Sequence, residues 1–172
     1  MKKWPILLAP AVLAAGTVAA GPGTKQFQEI LTGYEEVPAI STAASGAFHA
    51  RIADDGTSVS WELSYADLEG DVLQSHLHLG QPGVNGGVFV FLCSNLGNGP
   101  PGTQACPPPP ATLSGSFTAA DLVGGAAAQG LAPGELDEAL RAMRAGVTYV
   151  NVHSSLFPGG EIRAALDPGL GR

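Results

Sequence analysis

The sequence predicts an all-β fold: an antiparallel β-sandwich or Greek-key barrel of about eight strands with one short amphipathic helix. Three observations carry this. In SVSWELSY, residues 58–65, Val59, Trp61, Leu63 and Tyr65 alternate with Ser58, Ser60, Glu62 and Ser64, the period of a strand with one buried face. Comparable runs recur along the chain with turn residues between them. A single segment breaks the pattern: APGELDEALRAMRAG, 132–146, spaces Leu136, Ala139, Leu140 and Met143 as one helical face. Acids in its first turn, arginines in its last and Gly146 as a stop complete the helix signal. Such a helix would cover a sheet edge or one end of the barrel.

The strands follow in order. FQEILTG (27–33) opens the domain. AFHARIA (47–53) puts Phe48, Ala50 and Ile52 on one face and His49 and Arg51 on the other. The DDGT turn, whose Asp-Gly suits positive φ, should join it antiparallel to 58–65. DVLQSHLHL (71–79), GVFVFLC (87–93), ATLSGSF (111–117), VTYVNVH (147–153) and GEIRAAL (160–166) complete the set. The Pro/Gly-rich stretch from Asn95 to Pro110 reads as a decorated loop between strands.

Ahead of these elements lies MKKWPILLAPAVLAAGTVAAGPG. Two lysines, an apolar stretch and small residues at Val18, Ala19 and Ala20 form the pattern of a secretory signal peptide over residues 1–20. Pro5 and Pro10 interrupt the apolar run, which falls short of the roughly 20 continuous residues of a spanning helix. The expected organisation is a signal peptide at 1–20, a flexible mature start at 21–26, one β domain at 27–166 and a tail at 167–172. Cleavage after Ala20 leaves no membrane span and a protein that is secreted or periplasmic. Loss of Lys2 and Lys3 reduces the eight basic side chains to six against fifteen acidic ones, a formal charge of −9. An acidic chain with no basic stretch argues against nucleic acid and anionic membrane as partners. Cys93 and Cys106, the only cysteines, read most simply as one disulfide in an oxidising compartment. A two-thiolate metal site is the weaker alternative, because the loop between them holds neither histidine nor acid.

Three collinear motifs, LTGYEEVPAISTAASGAF, SHLHLGQPGVNGGVFVFL and GVTYVNVHSSLFPGGEIRAAL, resemble the CHRD domain of chordin and of many exported bacterial proteins. Glu36, Val37 and Pro38 match its Glu-Val-Pro, His76 and His78 its His-x-His, and Gly86 the glycine of its Asn-Gly turn. Tyr149 to His153 match its Tyr-Val-Asn-Val-His, and Gly160 to Arg163 its Gly-Glu-Ile-Arg. Ala39, Gly87 and the Ala-Ala-Leu after Arg163 depart from the pattern at turns and a strand end. In chordin such domains belong to an extracellular antagonist of bone morphogenetic proteins, whose cysteine-rich modules are absent here. For bacterial members the resemblance implies an exported β-domain and no established reaction.

The residues themselves supply a candidate site. On 72–79, Leu73, Leu77 and Leu79 oppose Gln74, His76 and His78; on 147–153, Val150 and Val152 oppose Tyr149, Asn151 and His153. Glu161 and Arg163 share the polar face of the last strand. If these faces meet, His76, His78, His153 and Glu161 form a cluster of nitrogen and oxygen donors suited to Cu(II) or Zn(II) rather than to Ca(II) or Mg(II). A hydrogen-bonded structural cluster, with histidines donating to carbonyls or to Asn151, is the competing reading, and partner recognition a third. Glu161 and Arg163 read equally as an ion pair or a clamp on the FPGGE turn, Glu35 and Glu36 as solvated charge at a turn, and His49 as a solvated surface residue. No Gly-x-Ser-x-Gly elbow or phosphate loop is present. The functional expectation is an exported binding or structural module whose partner is an extracellular or periplasmic protein or glycan, with a transition metal, Cu or Zn, as the candidate ligand of its histidine cluster. The enzymatic alternative, a copper-dependent redox activity like that of the β-barrel dismutases, rests on analogy alone.

Overall fold

The computed structural model describes residues 25–169. The expected signal peptide lies outside them. The elements are β1 (Gln26–Thr32), β2 (Ser45–Ile52), β3 (Val59–Ala66), β4 (Val72–Leu79), β5 (Gly87–Ser94), β6 (Ala111–Phe117), α1 (Leu136–Arg144), β7 (Thr148–Ser154) and β8 (Ile162–Ala165). The eight strands form one antiparallel sheet in the order β5-β4-β7-β8-β1-β2-β3-β6, curled into a nearly closed barrel. β1 begins inside the segment expected to be flexible, and the backbone N–H of Asp167 donates to Glu29 Oε1 at 2.7 Å.

The alternating strands bury the faces their periodicity marks. Phe48 pairs with Leu63 and Ala50 with Trp61 across β2 and β3, and all four are core residues. The DDGT turn holds Gly56 at φ 71°, while Asp55 accepts from the backbone N–H and hydroxyl of Thr57. Leu136, Ala139, Leu140 and Met143 of α1 are buried in the same core.

The two edge strands flank a seam, which the chain covers with non-repetitive structure. Gln104 donates from Nε2 to Leu92 O of β5 and to Ser114 O of β6. The Cys93–Cys106 disulfide ties this loop to β5. Farther along β5, Val123 N–H donates to Phe89 O, and Gln129 accepts from Gly87 N–H. The segment around Val123 is built of short 3-10 turns, Ala119–Asp121 and Gly124–Gln129, which periodicity did not reveal. A capping box between Thr118 and Asp121 starts the first.

Two strands differ from the half-buried pattern. β7 is buried at all seven positions, and His76 and His78 of β4 are buried beside Leu77. The barrel therefore has a second packed layer outside β4, β7 and β8.

Candidate metal centre

Register builds this layer. β4 and β7 pair His76 with Asn151 and His78 with Tyr149, and β7 and β8 pair Asn151 with Arg163. Directly opposed residues share a sheet face. Leu77, Val150, Val152 and Ile162 occupy the core side, which places the polar residues together on the outer one. Three connections close over them. Arg163 reaches the β4–β5 turn, donating to Val84 O at 2.8 Å and to Asn85 Oδ1 at 3.1 Å, and Asn85 Nδ2 donates to Val37 O of the β1–β2 connection. The β7–β8 turn supplies Pro158 O to His153. Gly86 sits so close to Leu79 O that no side chain fits there.

His76, His78 and His153 are 3%, 7% and 6% exposed, and one ring nitrogen from each lies within 4.8 Å of the others. The protein dictates two of the tautomers. His78 Nδ1 donates to Gly86 O at 2.9 Å and His153 Nδ1 to Pro158 O at 3.0 Å; a carbonyl only accepts, so the protons sit on Nδ1. In the neutral rings both Nε2 atoms are then bare lone pairs directed inward. Each lies 3.0 Å from Asn151 Oδ1, another acceptor, and His153 Nε2 lies 3.2 Å from His76 Nδ1. His76 Nε2 is buried without a partner.

Electrostatics keeps the rings neutral. Burial, with the neighbouring histidines His153 and His78 adding to it, lowers His76 to about 2. Burial lowers His78 to about 4 against the opposing pull of the Gly86 carbonyl, and burial also lowers His153. His78 stacks on Tyr149 at 4.5 Å between centroids, and the guanidinium of Arg163 lies 3.3 Å from the centroid of the same ring. Phe91 meets His76 edge to face.

The three histidines come together; Glu161 is engaged elsewhere. Its Oε1 accepts from Thr42 Oγ1 and from Glu69 N–H, both at 2.8 Å, so it clamps the β1–β2 and β3–β4 connections, while its Oε2 is buried without a hydrogen-bond partner. The expected Glu161–Arg163 ion pair is absent among the described residues. Arg163 spends its donors on the β4–β5 turn because that turn folds directly over it. Glu36 is also not the solvated charge expected of a turn acid. It is 5% exposed, its Oε1 is buried without a hydrogen-bond partner, and burial raises it to about 7 against the opposing pull of Arg163 and Asn151. Burial of this residue follows from how the connection folds back, which local polarity does not report. His49 is exposed on the outward face of β2.

The polar layer is thus assembled from the Glu-Val-Pro, His-x-His, Tyr-Val-Asn-Val-His and Gly-Glu-Ile-Arg motifs together. The family model for the CHRD domain matches residues 27–166. The chain belongs to the CHRD domain family. No curated protein and no solved structure matches the chain. Among the described residues of this CHRD domain, no helix is long and apolar enough to cross a membrane.

Proposed function

We propose that this CHRD domain works outside the cytoplasm as a binding module and that its ligand is a transition-metal ion, Cu(II) or Zn(II), held by His76, His78 and His153. The observation that carries the reading is the inward convergence of bare acceptors. Two imidazoles have their protons committed to backbone carbonyls, the arrangement that orients histidine ligands in metal sites. Protonation would relieve the crowding of lone pairs, but burial opposes it. A cation relieves it without that cost. Two ligand nitrogens on one tetrahedral ion at 2.0–2.1 Å lie about 3.3 Å apart, and His76 Nδ1 and His153 Nε2 are already at 3.2 Å.

Near-complete burial of the three rings, with Phe91 and Tyr149 packed on them, suits retention of an ion better than turnover at an open coordination position. That favours a binding role over a copper redox enzyme. The signal-peptide pattern and the disulfide support export.

Calorimetric titration of metal-stripped mature protein with Cu(II) and with Zn(II) tests the proposal. One-to-one binding that the His76→Ala/His78→Ala double variant loses, and that His49→Ala keeps, is the expected result. No binding by the parent refutes it. The histidine cluster would then be a structural hydrogen-bond network, and recognition of a protein or glycan by the loops would be the function to pursue.

A further inference from the structure

The donor set is not complete with the histidines. Asn151 Oδ1 stands 3.0 Å from both His78 Nε2 and His153 Nε2. Neither nitrogen carries a hydrogen, because each ring has given its proton to a carbonyl at Nδ1. The two contacts of Asn151 Oδ1 therefore join acceptors with no proton between them, and the one donor within reach of His153 Nε2 is His76 Nδ1 at 3.2 Å. The same separations are close to those between two donor atoms on one small ion. The amide oxygen faces the two imidazoles, and the other side of the amide faces the buried carboxyl group of Glu36.

Resting on the metal reading above, we propose that Asn151 Oδ1 is the fourth ligand, giving three nitrogens and one oxygen, and that Glu36 is its positioning residue. The carboxyl group takes up the side of the Asn151 amide that points away from the histidines and so fixes which end of it faces the ion. Gly160 makes room for it: at φ 129° it packs against the Glu36 carboxylate where any side chain would collide. An amide oxygen is a known weak axial ligand in copper sites, and carboxylates outside the ligand set commonly hold metal ligands in place.

Co(II), whose visible d–d bands report its ligands, is the probe. The parent should bind one Co(II). Asn151→Ala should weaken binding at least tenfold and shift the bands. Asn151→Asp/Glu36→Gln, which keeps both shapes, makes the ligand oxygen anionic and gives the other oxygen an amide donor, should bind more tightly than Glu36→Gln alone. Glu36→Gln should weaken binding about tenfold, the cost typical of losing such a partner, and move the bands less than Asn151→Ala. Circular dichroism of each variant verifies folding, and the double variant decides the matter if Asn151→Ala does not fold. If Asn151→Ala folds and keeps the parent's affinity and bands, or the double variant folds and keeps those of Glu36→Gln, the fourth ligand is refuted and the three-histidine site stands. If the parent binds no Co(II), Zn(II) or Cu(II), both readings fall.

Discussion

Replacing Glu36 by glutamine makes a buried carboxyl permanently neutral, and its effect on stability should depend on pH in a way that reports the environment. In the folded chain this group titrates at about 7 against an ordinary 4.5, because burial disfavours its charge. A raised folded value means that the folded state holds the proton more tightly than the unfolded chain. The stability this contributes is complete below pH 4.5 and is lost as pH rises to about 7. At about 1.4 kcal/mol per pH unit the interval is worth on the order of 3 kcal/mol. The histidines have the opposite sign. With His76 at about 2 and His78 at about 4, their contribution is complete above 6.5 and is lost as pH falls below it. In the metal-stripped parent the two trends oppose one another between pH 4.5 and 6.5, and stability collapses below pH 4.5, where only the histidine loss continues. Glu36→Gln removes one counterweight. Urea unfolding followed by the fluorescence of Trp61 at pH 4.5, 5.5 and 6.5 should show the variant gaining on the parent by about 1.4 kcal/mol per unit. A stability difference that stays constant over this range would mean that Glu36 ionises as an ordinary surface acid, and the description of the buried layer would be wrong.

Two further outcomes follow from the connections. Cys93→Ser/Cys106→Ser opens a loop with a sequence separation of 13, which in the chain-entropy model should lower stability by about 3 kcal/mol, read as a reduced urea midpoint at unchanged slope. Gly160→Ala should cost roughly 1–3 kcal/mol from its backbone conformation alone. Because the new methyl displaces Glu36, it should also weaken metal binding in the calorimetric titration.

The barrel was legible because most of its strands bury one face. Val59, Trp61, Leu63 and Tyr65 announce both a strand and its inner side, and Leu136, Ala139, Leu140 and Met143 do the same for α1. The polar side of β4 and β7 was equally readable, but its burial was not. Alternation says only that His76 and His153 lie opposite the core residues. Whether water or protein covers them depends on connections that have no period. The same gap explains the carboxylates. Glu161 falls on the polar side of the last strand, which made it a natural ligand candidate, yet its carboxylate is drawn to Thr42 and Glu69 on two folded-over connections, both of which donate to Oε1. Glu36, whose neighbours in sequence suggest a solvated turn, is carried inward by the same connection that brings Thr42.

The sheet does not close through its own ladder. β5 and β6 each keep one flank unpaired by any strand, and a Pro/Gly-rich loop, pinned by Cys93–Cys106 and by Gln104 reaching to both flanks, stands where a ninth strand would be. Bare strand flanks are templates for pairing with other chains. Hydrogen bonds hold most of this cover, and the disulfide is its covalent fastening, a lock on the stretch that stands in for the missing strand.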